Sequence, residues 1–178
     1  MPSSIGGASD ERIRAEIVHF LPRLRRFCIA IGGGIDAGED LMQATVERAL
    51  SRRDQWREGS RLDSWMYRIA QNLNIDSARA RRSRGVAVDI EAIAERAGED
   101  GRVTVEQRSE LAAAVDAMGQ LSEDQRALIA LVVVDGRSYR EAADILEIPI
   151  GSVMSRLARA RQAIDARLNG GDRRRRPS

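Results

Sequence analysis

From residue 9 onward, apolar residues recur at spacings of three and four, and nowhere do they alternate as a half-buried strand requires. That single periodicity commits the chain to helices packed on helices. Ile13, Ile17, Phe20, Leu24, Phe27 and Ile31 mark the first stripe, over about 9–31, with Pro22 expected to kink or restart the helix and Gly32-Gly33-Gly34 to stop it. The core must come from aliphatic side chains. Hydrophobic residues make up 43% of the 178 positions but aromatics only 3%, a composition suited to helix packing rather than to a sheet sandwich.

Start signals then divide the chain. Asp36 and Glu39 have capping-box spacing and predict a second helix to about Asp54, with Leu41, Thr45, Val46, Ala49 and Leu50 on its apolar side. A loop with Trp56, Gly59 and Ser60 follows. A third helix is expected from Leu62 to about Arg82, with Leu62, Trp65, Met66, Ile69 and Leu73 as its buried stripe. Residues 85–103 lack strong periodicity and read as a linker. Thr104 with Gln107, Ser122 with Gln125, and Ser138 with Glu141 repeat the capping-box pattern. Pro149 and Gly151 lead into a last helix to about Leu168. The expectation is an all-α chain of two small helical domains, 9–84 and 105–168, joined by a flexible acidic linker at 85–104. A disordered basic tail is expected over 169–178.

Charge follows the same division. Every basic residue is Arg, a planar donor fork suited to phosphates and guanine edges. Residues 48–84 carry ten Arg against four acids, and 137–176 carry ten against five, whereas 85–107 carry six acids against two Arg. Two basic blocks therefore flank an acidic connector. Cys28 is the only cysteine, so no internal disulfide can form, which fits a cytoplasmic setting. The N-terminus lacks the pattern of a signal peptide, and the longest apolar stretch, Ala127–Val134, is too short to cross a bilayer. No membrane insertion is expected.

Residues 138–164 read as a helix-turn-helix. Ala142, Ala143 and Leu146 line one side of its first helix, where small residues let a partner approach, and Glu147-Ile148-Pro149-Ile150 form the turn. In the next helix Val153, Leu157, Ala160 and Ile164 face the core, while Ser152, Ser155, Arg156, Arg159 and Gln162 lie outside. No acid falls between Gly151 and Ile164. Short polar groups with Arg forks suit a helix entering the major groove. An ordinary solvated face of a helical hairpin fits the same pattern.

The third helix has its own polar side: Arg61, Arg68, Gln71, Asn72, Asp76, Arg79 and Arg82. Trp56, Trp65 and Tyr67 lie in or beside the loop that begins it, and aromatics beside a basic face suit unstacked bases. The simpler alternative places Trp65 in the core and Trp56 as a plug of the loop. Asp40, Gln43, Glu47 and Arg48 give the second helix a mixed-charge strip, either a docking face or plain solvated surface.

Three segments, DLMQATVERAL at 40–50, RLDSWMYRIAQNLNIDSARARR at 61–82 and the helix-turn-helix at 138–164, occur in an order that resembles the sigma-factor family. The likeness is to the extracytoplasmic-function group, which keeps only the second and fourth conserved regions, and it covers about 10–84 and 105–168. The resemblance implies docking of Asp40, Gln43, Glu47 and Arg48 on the clamp helices of the largest subunit of core RNA polymerase. It implies that Arg61, Leu62, Ser64, Trp65, Asn72, Asp76 and Arg79 hold the melted −10 element and a flipped base. It implies that Ser152, Met154, Ser155, Arg156, Ala158 and Arg159 read the −35 element. An anti-sigma factor is the further partner it implies. Leu62 and Asp63 stand where many relatives carry aromatics, and Met154 and Ala158 are non-polar where some carry Arg or an aromatic. The base pocket and the promoter sequence therefore do not transfer from any one relative.

Two other readings compete: a sigma mimic that only sequesters an anti-sigma factor, and a helix-turn-helix repressor that binds duplex DNA alone. The mimics of this kind attach to a phospho-receiver domain, which needs a Lys that this chain lacks. An enzyme is not expected. His19 is the lone histidine, Cys28 lies on an apolar face, and no metal-ligand cluster, cofactor motif or small-molecule site is legible.

Overall fold

The computed structural model describes residues 5–56, 59–83 and 117–172, and their side chains over 11–56, 59–83 and 117–167. The expected linker, the Thr104–Gln107 helix start and residues 173–178 lie outside them. The fold is all-α. Helix α1 spans Ile5–Gly32, α2 Ile35–Ser51 and α3 Leu62–Ser83. After residue 117 come α4 (Glu123–Ile129), α5 (Tyr139–Leu146) and α6 (Ile150–Asp172).

The first group is built on α1. Ile13, Ile17, Phe20, Leu24, Phe27 and Ile31 are all buried, with Cys28 beside them, as the spacing predicts. Pro22 does not restart the helix, which runs through it. Pro22 and Val18 are both exposed, so the hydrogen bond that proline cannot make is lost on the solvent side of the helix. Gly33, at φ 84°, turns the chain into α2. The Asp36–Glu39 capping box does not form. Gly34 is the N-cap without a side-chain bond, Asp36 sits inside the first turn, and Glu39 pairs with Arg25 on α1 instead. Gly38 explains how closely the two helices cross: a Cβ there would stand 2.4 Å from the Ile29 Cα. Thr45 is buried on α2, its hydroxyl donating to the Leu41 carbonyl at 2.7 Å.

Helix α3 is rotated from its expected orientation. Leu62, Met66, Tyr67, Ala70, Gln71, Asn74 and Ala78 are buried, whereas Trp65, Ile69 and Leu73 are half-buried along the flank. The reason is the second group, which packs on a side of α3 that reads as polar. Tyr67 meets Phe20 edge-on at 5.0 Å and Phe27 at 4.6 Å between ring centroids. It is core, not an exposed platform for bases.

Both remaining capping boxes form. Ser122 exchanges bonds with Gln125, and Ser138 with Glu141. Helix α4 widens into a π-turn at Ala130–Val134, closed by the Asp135 N–H donating to the Ala130 carbonyl at 3.0 Å. Gly136, at φ 70°, then reverses the chain toward α5. Helix α5 ends at Glu147 in the left-handed region, φ 55°, and Pro149 opens α6 by accepting from the Ser152 N–H at 2.8 Å. Val153, Leu157 and Ala160 are buried against α4 and α5. Helix α6 continues past Leu168 to Asp172, so residues 169–172 are helical rather than tail. Glycine weakens a helix by about 1 kcal/mol without forbidding it.

The two groups share one core. Leu24, Phe27 and Ile31 belong to the same buried cluster as Leu121, Leu128 and Leu131. Helix α1 packs on α4 and the π-turn, and α3 packs on α5 and α4.

Candidate nucleic-acid interface

Two Arg-bearing helical surfaces stand out, and they differ in what surrounds them. On α6, the face opposite Val153, Leu157 and Ala160 looks into solvent. Met154, Ser155, Ala158 and Arg159 are exposed there, and the Ser155 hydroxyl is folded back onto the Ser152 carbonyl at 3.2 Å. Ser152 is half-buried. Arg156 is half-buried too, because its guanidinium turns sideways to Asp124 at 2.8 Å. Ile150 and Met154, one turn apart, are 49% and 56% exposed, which makes the start of this helix unusually apolar for a free surface.

On α3 part of the polar side is covered by the second group. Arg61 donates to Asp63 at 3.1 Å and to Glu141 at 3.0 Å. Arg68 pairs with Glu147, and Arg82 with Glu123. Gln71, expected outside, is buried and its amide nitrogen reaches the Glu123 carbonyl at 3.5 Å. Of the other residues expected on this surface, Asn72, Asp76 and Arg79 are exposed, Ser64 and Trp65 are half-buried, and Leu62 is core. Trp56 is half-buried against the core, its indole N–H without a partner. Arg68, Asn72, Glu147 and Arg156 line an open cleft between the groups.

At the centre of the contact is a buried ionic cluster with no counterpart in the sequence pattern. Arg137, 5% exposed, donates to Asp135 at 2.7 Å, to Asp63 at 2.6 Å and to Glu141 at 3.2 Å. Arg23 on α1 reaches Asp135 with two bonds of 2.9 Å. The Arg137 guanidinium also lies 5.6 Å from the centroid of Tyr67. Burial works against every charge here, and the pairing overcomes it. Asp63 is penalised by burial, yet Arg61 and Arg137 hold it down at about 2. Asp135 is lowered against the same penalty by Arg23 and Arg137. Glu141 is held at about 2, first by the Ser138 backbone and hydroxyl and then by Arg61 and Arg137. Burial, followed by the Asp135 charge, pushes the Tyr67 phenol up, and its hydroxyl makes no hydrogen bond of good geometry. Arg126 adds a second tie, donating to the Met118, Leu121 and Ile31 carbonyls at 3.0–3.1 Å.

The mixed-charge strip of α2 is separate from both surfaces. Asp40, Gln43, Glu47 and Arg48 are exposed on it, with the Gln43 amide donating to Glu47 at 3.2 Å. Burial pushes the Cys28 thiol up to about 12, so it is inert core. Among the described residues, no group of three or more His, Cys, Asp or Glu could hold a metal ion, and no helix is long and apolar enough to cross a membrane.

Comparison with known proteins fits this geometry. The family described as Sigma-70, region 4 matches residues 111–164, and that described as Sigma2 domain of PhyR matches 17–71. The chain is 34% identical to the ECF RNA polymerase sigma factor EcfG of Rhodopseudomonas palustris, over 89% of this chain and 86% of that protein. It is 34% identical to the ECF RNA polymerase sigma-E factor of Escherichia coli K12, over 72% of each. Among solved structures it resembles the sigma factor RpoE in complex with the anti-sigma factor NepR from Bartonella quintana. That likeness has a TM-score of 0.71 and 30% identity, and covers 89% of this chain and 98% of that one.

Proposed function

The chain belongs to the extracytoplasmic-function group of sigma factors, and from that membership we propose how its surfaces divide the work of starting transcription. The exposed face of α6 reads the −35 element in the major groove, through Ser152, Met154, Ser155, Arg156, Ala158 and Arg159. The α3 surface holds the melted −10 element, through Arg61, Leu62, Ser64, Trp65, Asn72, Asp76 and Arg79. The α2 strip of Asp40, Gln43, Glu47 and Arg48 docks on the clamp helices of the polymerase's largest subunit. Residues 9–84 and 105–168 are the two working domains, with 85–104 spanning polymerase between them. An anti-sigma factor of the NepR kind is the proposed regulator, since a relative of 30% identity is held by one.

No covalent chemistry is needed. The helix-turn-helix anchors on duplex DNA, and the first domain stabilises the open form by capturing unstacked bases. Unstacking costs a few kcal/mol per step, and stacking or pocket contacts return roughly 1–3 kcal/mol per base. The observation that carries the reading is the α6 face: exposed, free of acids, and placed with Arg159 beside Ser155 where a groove-entering helix needs them.

The test is transcription from host chromosomal DNA with purified chain and core polymerase, mapped by 5′-end sequencing. Starts that share an upstream motif are expected. No start above core enzyme alone would overturn the reading. The same experiment decides against the mimic, which the match of 17–71 to the PhyR domain favours and which would support no initiation.

A further inference from the structure

Arg156 and Arg159 stand one turn apart on α6, and only the first is held. Arg159 is exposed and has no partner among the described residues. Arg156 is tied by a single bond, its Nη1 donating to the Asp124 Oδ2 at 2.8 Å. The pair is neither buried nor free in water, with side chains 35% and 49% exposed. On the helix, Arg156 shares a flank with Ser152 before it and Arg159 after it. That flank borders the exposed face of Met154, Ser155 and Ala158.

Asp124 is itself placed by rigid structure. It lies in the first turn of α4, just after the Ser122 cap, whose two bonds with Gln125 measure 3.0 and 3.3 Å. Helix α4 packs directly on α6. The carboxylate is therefore presented from a capped helix end, not from a loop.

A guanidinium is a planar fork of five N–H donors, and Asp124 engages one nitrogen only. The Nε and Nη2 of Arg156 have no partner among the described residues. Two such adjacent donors can meet the O6 and N7 of guanine side by side. A free arginine more readily meets phosphate, which lies all along the duplex and carries no sequence. A carboxylate at one corner offsets that attraction. It also fixes the plane of the fork, which lowers the ordering cost of a base contact.

We propose that Asp124 is a positioning residue for upstream-element recognition: it presets Arg156 to read one guanine and keeps it from acting as a phosphate contact. The proposal rests on the reading of α6 as the helix that enters the major groove. Its two effects have opposite signs. Loss of Asp124 weakens binding where the sequence is right and strengthens it where the sequence is wrong. A damaged fold would weaken both. The half-exposed pair bounds the size at about fivefold.

The test uses holoenzyme assembled from the full chain and core polymerase. It selects from a duplex pool with randomised base pairs at the upstream element of a mapped start, sequenced before and after. The unmodified chain should show a guanine preference that Arg156→Ala abolishes. Asp124→Ala should reduce the preference at that same position by roughly threefold to fivefold. On the mapped fragment with its upstream element scrambled, anisotropy should show affinity raised about twofold or more. Its dependence on log salt should steepen by up to about one unit, for one added phosphate contact. In an Arg156→Ala background, Asp124→Ala should change nothing further, because the carboxylate acts only through that arginine.

A guanine preference untouched by Arg156→Ala or by Asp124→Ala would overturn the proposal. So would a parallel loss on the intact and scrambled fragments, or an effect of Asp124→Ala that persists without Arg156. Arg159→Ala keeps this failure distinct from failure of the α6 reading. If neither Arg156→Ala nor Arg159→Ala alters any upstream position, α6 leaves the groove and the proposal goes with it. A preference that Arg159→Ala erases and Asp124→Ala leaves intact sinks only the role of Asp124.

Discussion

Helices α3 and α6 carry similar polar side chains and live in opposite surroundings. Both present arginines along one face. On α6 that face is free of acids and open, with only Arg156 drawn aside by Asp124. Along α3, Arg61 just before it and Arg68 and Arg82 within it meet carboxylates more than forty positions away in the chain, while Arg79 stays exposed. An arginine face on a helix is thus not by itself an accessible one. What decides is whether the fold brings acids across it.

The comparison breaks hardest at Arg137. Arg137→Ala removes the buried cation that joins Asp135, Asp63 and Glu141, and should cost about 3–5 kcal/mol in chemical denaturation, the range for breaking a buried pair. A loss below 1 kcal/mol would show that the two groups do not depend on it. Arg159→Ala tests the open face instead. It should weaken holoenzyme binding to its upstream element by roughly 1–3 kcal/mol in anisotropy at fixed salt, with thermal stability unchanged. Unchanged affinity would remove that arginine from the reading face.

Acid provides a third comparison. Asp63 and Glu141 are held at about 2, below their ordinary values, and Asp135 is lowered as well. A depressed carboxyl adds stability that is present above its unfolded value and disappears as pH falls through its folded one. The contact between the groups should therefore weaken between about pH 4.5 and pH 2, and hold unchanged from pH 8 to 6. The loss is roughly 1–2 kcal/mol, because Asp63 is partly exposed and screened. Energy transfer between dyes placed at Ser77→Cys and Gln162→Cys, both exposed, would follow it, and a transition near pH 6 would contradict the assignment to carboxylates. Ser138→Ala should cost about 1 kcal/mol by removing the α5 cap, read as a lower melting temperature. Smallest is Arg82→Ala, whose exposed pair with Glu123 should contribute less than about 1 kcal/mol and vanish at high salt.

The sites were legible in unequal measure. The buried side of α6 and its exposed Arg159 follow from spacing alone, because a single helix presents both faces from local sequence. The same reasoning misplaces Gln71 and Tyr67 on α3. Polar spacing marks Gln71 as outward, and nothing local shows that α4 will cover it. The Asp36–Glu39 pattern fails for a related cause: Gly33 and Gly34 already turn the chain, and Arg25 takes the Glu39 carboxylate. Asp135 and Arg137 carry no motif at all.

What the sequence alone determined was local: helical periodicity, the Ser122 and Ser138 caps, the stop at the glycines, and the core stripes of α1 and α6. Those patterns depend on residues within one or two turns of each other, so they are legible locally, although burying the stripes takes tertiary packing. Only the tertiary structure decided which polar face is covered. The partners of Asp135 and Arg137 lie 112 and 74 residues away, and no spacing rule reaches that far. Charge pairing across such distances is settled by which helices the shared core brings side by side.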